Sequence, residues 1–100
     1  MQLCDWVGEV VSSAVTEQGQ WRVKAKCRNR FYEGDELEVL SPHKPIRTVK
    51  VQDLAEVYDG AEVPSEVACK AMAPYAFTAS FELEPRDILR VRRKDPTKKN

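Results

Sequence analysis

The sequence has a single histidine, His43, and three cysteines, Cys4, Cys27 and Cys69, no two of them close together. It contains no CxxC pair, and one imidazole among scattered thiols offers too few ligands at useful spacing for a zinc site. An odd, dispersed set of cysteines argues against a disulfide framework and for a reducing, cytoplasmic setting. Only 4 glycines occur, and none belongs to the glycine-rich loop that cradles phosphate. After Met1 comes Gln-Leu-Cys-Asp-Trp, without the basic start or apolar run of a secretory leader. No stretch nears the ~20 apolar residues that cross a bilayer, so a soluble chain without membrane contact is expected. With 16 basic and 16 acidic residues the formal charge is zero, and no global field advertises nucleic acid. What matters is how the charges are segregated.

A chain of 100 residues makes one domain and buries about 60–65% of the surface that its unfolded form exposes. Hydropathy alternates with period 2 almost throughout, and a sustained 3.6-residue repeat is missing. Residues 6–13, 21–28, 36–40, 47–58, 61–63, 77–83 and 88–92 read as strands, with one helical turn over 52–58 as the less favoured alternative. The loops between them carry turn chemistry: Gly19, Gly34, the two prolines of Ser41-Pro42-His43-Lys44-Pro45, and the hairpin pair Asp59-Gly60. Residues 67–73 are ambiguous between weak pairing and loop. This pattern predicts an all-β fold, a small closed or partly open β-barrel of about six to seven strands. It spans residues 1–94, with a charged tail over 95–100. An internal echo favours the barrel over a sandwich. Gly34-Asp35-Glu36-Leu37-Glu38-Val39 is matched by Arg86-Asp87-Ile88-Leu89-Arg90-Val91, and closure removes the edges that two separate sheets would leave.

The second strand is the most informative. Trp21, Val23, Ala25 and Cys27 take the inward parity, which makes Trp21 a core residue and Cys27 a small buried hydrophobe. Arg22, Lys24, Lys26 and Arg28 share the other face, about 7 Å apart along the strand. Such a row suits a nucleic-acid backbone, and Arg30, Arg47 and Lys50 would extend it. Tyr32 stands beside it as a stacking ring, whereas Phe31 plugs the barrel end. The competing reading is cross-strand pairing with Glu36 and Glu38 on the next strand and Glu9 on the previous one. Exposed pairs contribute only about 0.2–1 kcal/mol each, and the cations outnumber these acids. A further basic cluster, Arg86, Arg90, Arg92, Arg93, Lys94, Lys98 and Lys99, surrounds the last strand and tail and reads as a solubility feature.

Catalysis finds no support. His43 lies between two prolines in a loop with no partner in view. Asp35 and Asp87, with Gly34, read as turn residues whose carboxylates accept backbone N–H bonds. No Ser/His/Asp or Cys/His set can be assembled. The module is therefore expected to have no catalytic residue, no metal and no cofactor.

Several segments together resemble a known family: Val7-Gly8-Glu9-Val10, then Arg28-Asn29-Arg30-Phe31 with Gly34-Asp35-Glu36-Leu37-Glu38-Val39, then Val51 through Tyr58-Asp59-Gly60, then Pro85 with Asp87-Ile88-Leu89-Arg90. Their order and spacing are similar to the C-terminal domain of the collagenase-like peptidase family, family U32, over roughly residues 5–93. The resemblance implies a barrel like the second domain of translation elongation factors, placed after a larger catalytic barrel. In that family some members are proteases acting on collagen. Others take part in hydroxylating RNA bases, the tRNA wobble uridine among them, with an iron–sulphur cluster in the large domain. The sequence departs from the family at Ser41-Pro42-His43-Lys44-Pro45, where a glycine-rich turn is usual, at Met72-Ala73-Pro74-Tyr75, where a His-Pro element is usual, and at Cys27.

Three roles follow as expectations. The first is an accessory module that contacts RNA, tRNA included, through the basic strand face and partners a catalytic domain of the same family in cis or in trans. The second is a peptide-docking domain that works through an apolar groove or strand edge. The third is a structural domain, which would expose an apolar patch. Oligomeric state is left open.

Overall fold

The computed structural model describes residues 2–94, with side chains from 6 to 91. Ten strands and no helix fill this range: β1 (Gln2–Val15), β2 (Trp21–Cys27), β3 (Phe31–Tyr32), β4 (Glu36–Leu40), β5 (Arg47–Lys50), β6 (Gln52–Tyr58), β7 (Ala61–Pro64), β8 (Val67–Ala68), β9 (Pro74–Ala79) and β10 (Ile88–Lys94). Eight of them form one curled sheet in the order β5-β4-β10-β1-β2-β9-β6-β7, and β3 pairs with β8 as a small second sheet. The all-β, barrel-like expectation holds.

The 14-residue strand β1 joins the two halves. Its first half pairs with β10, from Gln2↔Lys94 to Glu9↔Ile88, and its second half with β2, from Gly8↔Cys27 to Val15↔Trp21. The register shifts between Trp6 and Gly8 against β10 and between Val10 and Ser12 against β2. Such irregularities bend a strand and increase its twist, so one strand can serve both halves of a curled sheet. Val7, Val10, Val23, Leu37, Phe77 and Leu89 line the inside, none more than 2% exposed.

The curl of this open sheet, whose edges are β5 and β7, is held by the chain as well as by hydrogen bonds. Strand β5 lies at one edge of the sheet and β6 next to the other edge, yet Val51 alone separates them in sequence. Val51 donates its N–H to the Asp35 carbonyl (2.9 Å) and accepts the Gly34 N–H (2.8 Å). Two residues on, Asp53 takes a φ of 55°, and the Glu33 carboxylate accepts the N–H groups of Asp53 (3.1 Å) and Leu54 (2.8 Å). The stretch read as one strand over 47–58 is thus two strands meeting at a clamped corner. This split at Val51 accounts for one of the three strands beyond the seven read, and β3 and β8 are the other two; left-handed Asp53 lies within β6, where the register against β9 shifts between Gln52 and Ala55. Beneath the β3–β8 pair Phe31 is fully buried. The hydroxyl of buried Tyr75 accepts the N–H groups of Cys69 (3.3 Å) and Lys70 (3.2 Å).

The internal echo is a repeat of hydrogen bonds. In the first copy Asp35 N–H donates to Tyr32 O (3.1 Å), and Tyr32 N–H donates to Asp35 Oδ2 (2.9 Å). In the second, Asp87 N–H donates to Glu84 O (3.0 Å), and Glu84 N–H donates to Asp87 Oδ2 (2.9 Å). Val10 bonds to Arg86 and Asp87 (2.7 and 2.9 Å) in the way that Val51 bonds to Gly34 and Asp35. Gly34 and Arg86 hold φ values of 88° and 75° at the matching place.

One strand ends early. The alternation over 77–83 predicts pairing throughout, but β9 stops at Ala79. Beyond it the inward parity persists without a ladder: Leu83 is fully buried, Phe81 packs on the core, and the Leu83 carbonyl accepts the Ser13 hydroxyl (2.6 Å).

Candidate nucleic-acid interface

Strand β2 sits inside the sheet between β1 and β9. Val23, Ala25 and Cys27 are buried while Lys24 and Lys26 are exposed, as a period of 2 requires. Glu36 and Glu38 do not face this strand. They lie on β4, which neighbours β5 and β10, and Glu38 Oε1 instead accepts a bond from Arg90 Nε at 2.7 Å. The expected pairing assumed that strands adjacent in sequence are adjacent in the sheet. Here β10 and β1 intervene.

The four cations of the row differ in what holds them. Arg22 is committed: its Nε and Nη2 engage the Glu62 carboxylate on β7, at 2.7 Å for Nη2 to Oε1, and Nη1 donates to Thr78 Oγ1 at 3.0 Å. Lys24 lies opposite Ser12 and Ala76, and Lys26 opposite Glu9 and Pro74. Among the described residues neither lysine forms a salt bridge. Arg28, just past the strand, places its Cζ 3.9 Å from the centroid of the Trp6 ring, a cation–π contact of about 0.5–1 kcal/mol at an exposed site.

The sequence pattern does not single out Trp6, although its ring is the one that Arg28 covers. The register shift between Trp6 and Gly8 turns its ring outward, and 40% of the residue is exposed. The available signal was Gly8, since glycine within a strand often marks a bulge. Its backbone is pinned: Asn29 Nδ2 donates to the Trp6 carbonyl (2.6 Å), Arg28 N–H to the Val7 carbonyl (2.7 Å), and Trp6 Nε1 to the Gly8 carbonyl (2.9 Å). Trp6, Arg28, Lys26, Glu9, Cys27 and Met72 line an open groove of about 90 Å³. Met72 is 67% exposed, held there by its N–H bond to the Cys27 carbonyl (2.7 Å).

Arg30 and Tyr32 follow at the same end of β2. Their side chains are hydrogen-bonded, and that bond, more than the neighbouring Tyr32 and Cys69 charges, raises the guanidinium pKa above its ordinary value. Tyr32 is 41% exposed. Arg47 and Lys50 do not extend the row, being on edge strand β5. Arg47 lies over the Phe81 ring (4.7 Å), donates to Ser41 Oγ (3.2 Å) and stands 3.8 Å from Asp87. Lys50 sits opposite Glu36. In the second basic cluster Arg90 is paired with Glu38 and Arg86 is exposed. The side chains of Arg92, Arg93 and Lys94, and residues Lys98 and Lys99, fall outside the described ones, as does the expected tail over 95–100.

His43 is exposed at a φ of 63° in its loop. Burial pushes the Cys27 thiol pKa above its ordinary value, with a smaller push from Cys69, and Cys27 Sγ donates to the Asn29 carbonyl (3.3 Å). Among the described residues no group of three His, Cys, Asp or Glu side chains is placed to hold a metal ion, and no helix is long and apolar enough to cross a membrane.

The sequence model of the peptidase family U32 C-terminal domain matches residues 2–90. The chain belongs to this family. No curated protein matches the sequence. Two crystal structures of the C-terminal domain of a proposed U32 peptidase from Geobacillus thermoleovorans share the fold at 22% identity. The selenomethionine variant has a TM-score of 0.69 and covers 86% of this chain and 98% of its own. The other has a TM-score of 0.67 and covers 91% and 92%. The curled sheet is thus the architecture of the U32 C-terminal domain, and the basic strand runs through its middle.

Proposed function

We propose that this U32 C-terminal domain is a non-catalytic accessory module that holds RNA, tRNA included, for a catalytic domain of its family, joined in cis or met in trans in the cytoplasm. The observation that carries this reading is the outer face of β2, where exposed Lys24 and Lys26 lead to Arg28 on the exposed ring of Trp6, with Arg30 beyond. Cations spaced along one strand and an adjacent aromatic are the two parts of a surface that follows a single-stranded backbone. Contacts to phosphate position a nucleic acid without reading its sequence, so selectivity would reside in the catalytic domain. The module brings no cofactor of its own.

A second reading, peptide docking, draws on the other edge of the sheet. Strand β7 is exposed along its whole length, with Val63 at 52% and the neighbouring Tyr58 at 68%, and an open edge can accept an added strand.

Salt separates the two. If Lys24, Lys26, Arg28 and Arg30 neutralise about four phosphates, affinity for bulk tRNA falls about 50-fold between 50 and 200 mM salt, from a slope near −0.7 per contact. A Lys24→Ser/Lys26→Ser/Arg30→Ser variant should lose about 2 units of that slope. Absence of tRNA binding at 50 mM salt overturns the RNA reading.

A further inference from the structure

The groove beside Trp6 has features that a phosphate-tracking face does not need. Its apolar parts, the Trp6 ring and Met72, are exposed next to Lys26 and Arg28 rather than folded against the core. The polar groups around it are largely committed to the backbone. Trp6 Nε1 donates to the Gly8 carbonyl, Asn29 Nδ2 to the Trp6 carbonyl, and Cys27 Sγ to the Asn29 carbonyl. The groove thus offers π-surface beside two cations, Lys26 and Arg28, and one carboxylate, Glu9, which stands opposite Lys26 across the ladder.

Resting on the RNA reading above, we infer that the Trp6–Arg28 pair is a stacking platform for one unpaired nucleobase of a single-stranded segment. The base lies on the exposed indole or on the outer side of the Arg28 guanidinium, both of which accept stacked bases. Met72 forms the apolar wall, and Lys26 and Lys24 take the flanking phosphates. The groove, at about 90 Å³ and open, supports a ring from one side without enclosing it. With Nε1 occupied, the indole stacks without reading base edges, so the platform accepts any base. Duplex RNA, whose bases are already stacked on one another, would gain only the phosphate contacts.

Trp6 is also the reporter. In a Trp21→Phe background, which leaves Trp6 as the sole tryptophan, the 100-residue chain is titrated with single-stranded oligo(U) and oligo(A) octamers and with a duplex of equal charge. Emission is read from Trp6, and affinity from the anisotropy of a labelled oligomer. The expected result is quenching of Trp6 by both octamers and not by the duplex. Trp6→Ala should weaken octamer binding roughly 5- to 150-fold, the range that base–aromatic stacking spans, with an unchanged salt slope, and Trp6→Phe should recover part of the loss. Because Trp21 is half-buried, a Trp6→Ala chain that keeps Trp21 provides the same affinity comparison without the second substitution. Octamer binding with no quenching and full affinity in Trp6→Ala overturns the platform while leaving the phosphate-tracking face intact. Absence of any binding at 50 mM salt overturns both, and preference for a peptide over the octamers hands the groove to a protein partner.

Discussion

Asp35 and Asp87 make the same pair of hydrogen bonds, each donating its N–H to a carbonyl three residues back and accepting that residue's N–H on its own Oδ2. Their surroundings differ. Asp35 is half-buried, whereas Asp87 is 1% exposed and faces Arg47 at 3.8 Å. Arg47 has a buried Nε without a partner, so its guanidinium relies on Asp87, Ser41 and the Phe81 ring. Replacing Asp87 by Ala orphans a part-buried N–H and leaves that cation uncompensated, a loss of about 2–4 kcal/mol. Asp35→Ala should cost only about 1 kcal/mol. Urea denaturation of the two variants should rank them in that order, and equal losses would refute the account of Asp87.

The matching turn position holds Gly34 in one copy and Arg86 in the other, both left-handed. An L side chain is disfavoured there by roughly 1–2 kcal/mol, while glycine adds flexibility to the unfolded chain. Arg86→Gly should therefore stabilise the domain slightly, by about 0.5 kcal/mol, and Gly34→Ala should destabilise it by about 1 kcal/mol. A Cβ on Gly34 would have nothing within 4 Å, so any measured loss reports backbone conformation and not a clash.

Gly8 is the opposite case. A Cβ there would lie 2.8 Å from the Lys26 carbonyl oxygen, a backbone atom that can yield only if the β1–β2 ladder opens. Gly8→Ala should cost about 1–3 kcal/mol, the usual range for overpacking. Because the Gly8 carbonyl also holds Trp6 Nε1, Trp6 emission should shift in the same variant. An unchanged spectrum and unchanged stability would show that the strands can part there freely.

Arg22 and Lys24 separate stability from binding. Arg22→Ala removes the bonds to Glu62 and Thr78, at a cost of about 1 kcal/mol for a partly exposed pair, with little effect on tRNA affinity. Lys24→Ala should leave the denaturation midpoint within about 0.5 kcal/mol of wild type and reduce the salt slope by about 0.7. The reverse pattern would mean that Arg22, and not Lys24, meets the phosphate.

Burial keeps the Cys27 proton on beyond the usual thiol pKa of 9.0. Above that pH the unfolded chain binds fewer protons than the folded one, so this group's contribution makes stability fall as pH rises through 9.0 and beyond, until the folded thiol ionises too. In Cys27→Val that component of the alkaline decline should vanish. With Cys4 replaced by Ser, a thiol reagent at pH 8 should modify exposed Cys69 and spare Cys27 until the chain is denatured. Equal rates at the two thiols would show that Cys27 is open to solvent.

Features set by neighbouring residues could be read from the sequence. The parity of β2, the Asp59-Gly60 hairpin with φ values of 53° and 80°, and the echo of Gly34-Asp35 in Arg86-Asp87 all follow from local rules of side-chain alternation and turn conformation. What was lost depends on distance along the chain. The partner of Arg22 is Glu62, 40 residues away, and nothing near β2 announces that β7 will curl over it. Pairing of the β2 cations with Glu36 and Glu38 fails because sheet order is not sequence order: β10 and β1 lie between β4 and β2. Trp6 was hidden by a bulge, since one irregular residue reverses the parity that period-2 reading assumes.

Gln2 and Lys94 face each other across the β1–β10 ladder, so anything fused before or after the domain leaves from the same corner. A pull between such attachments acts along the ladder's own hydrogen bonds and opens them singly, as a zipper and not in shear. The first rungs to part are those at Gln2 and Lys94. The β1–β2 ladder that carries the basic row begins at Gly8, so it stays intact until the seam has opened nearly to Glu9 and Ile88. A pull applied at those two ends would therefore spare the strand pairing on which Lys24 and Lys26 stand.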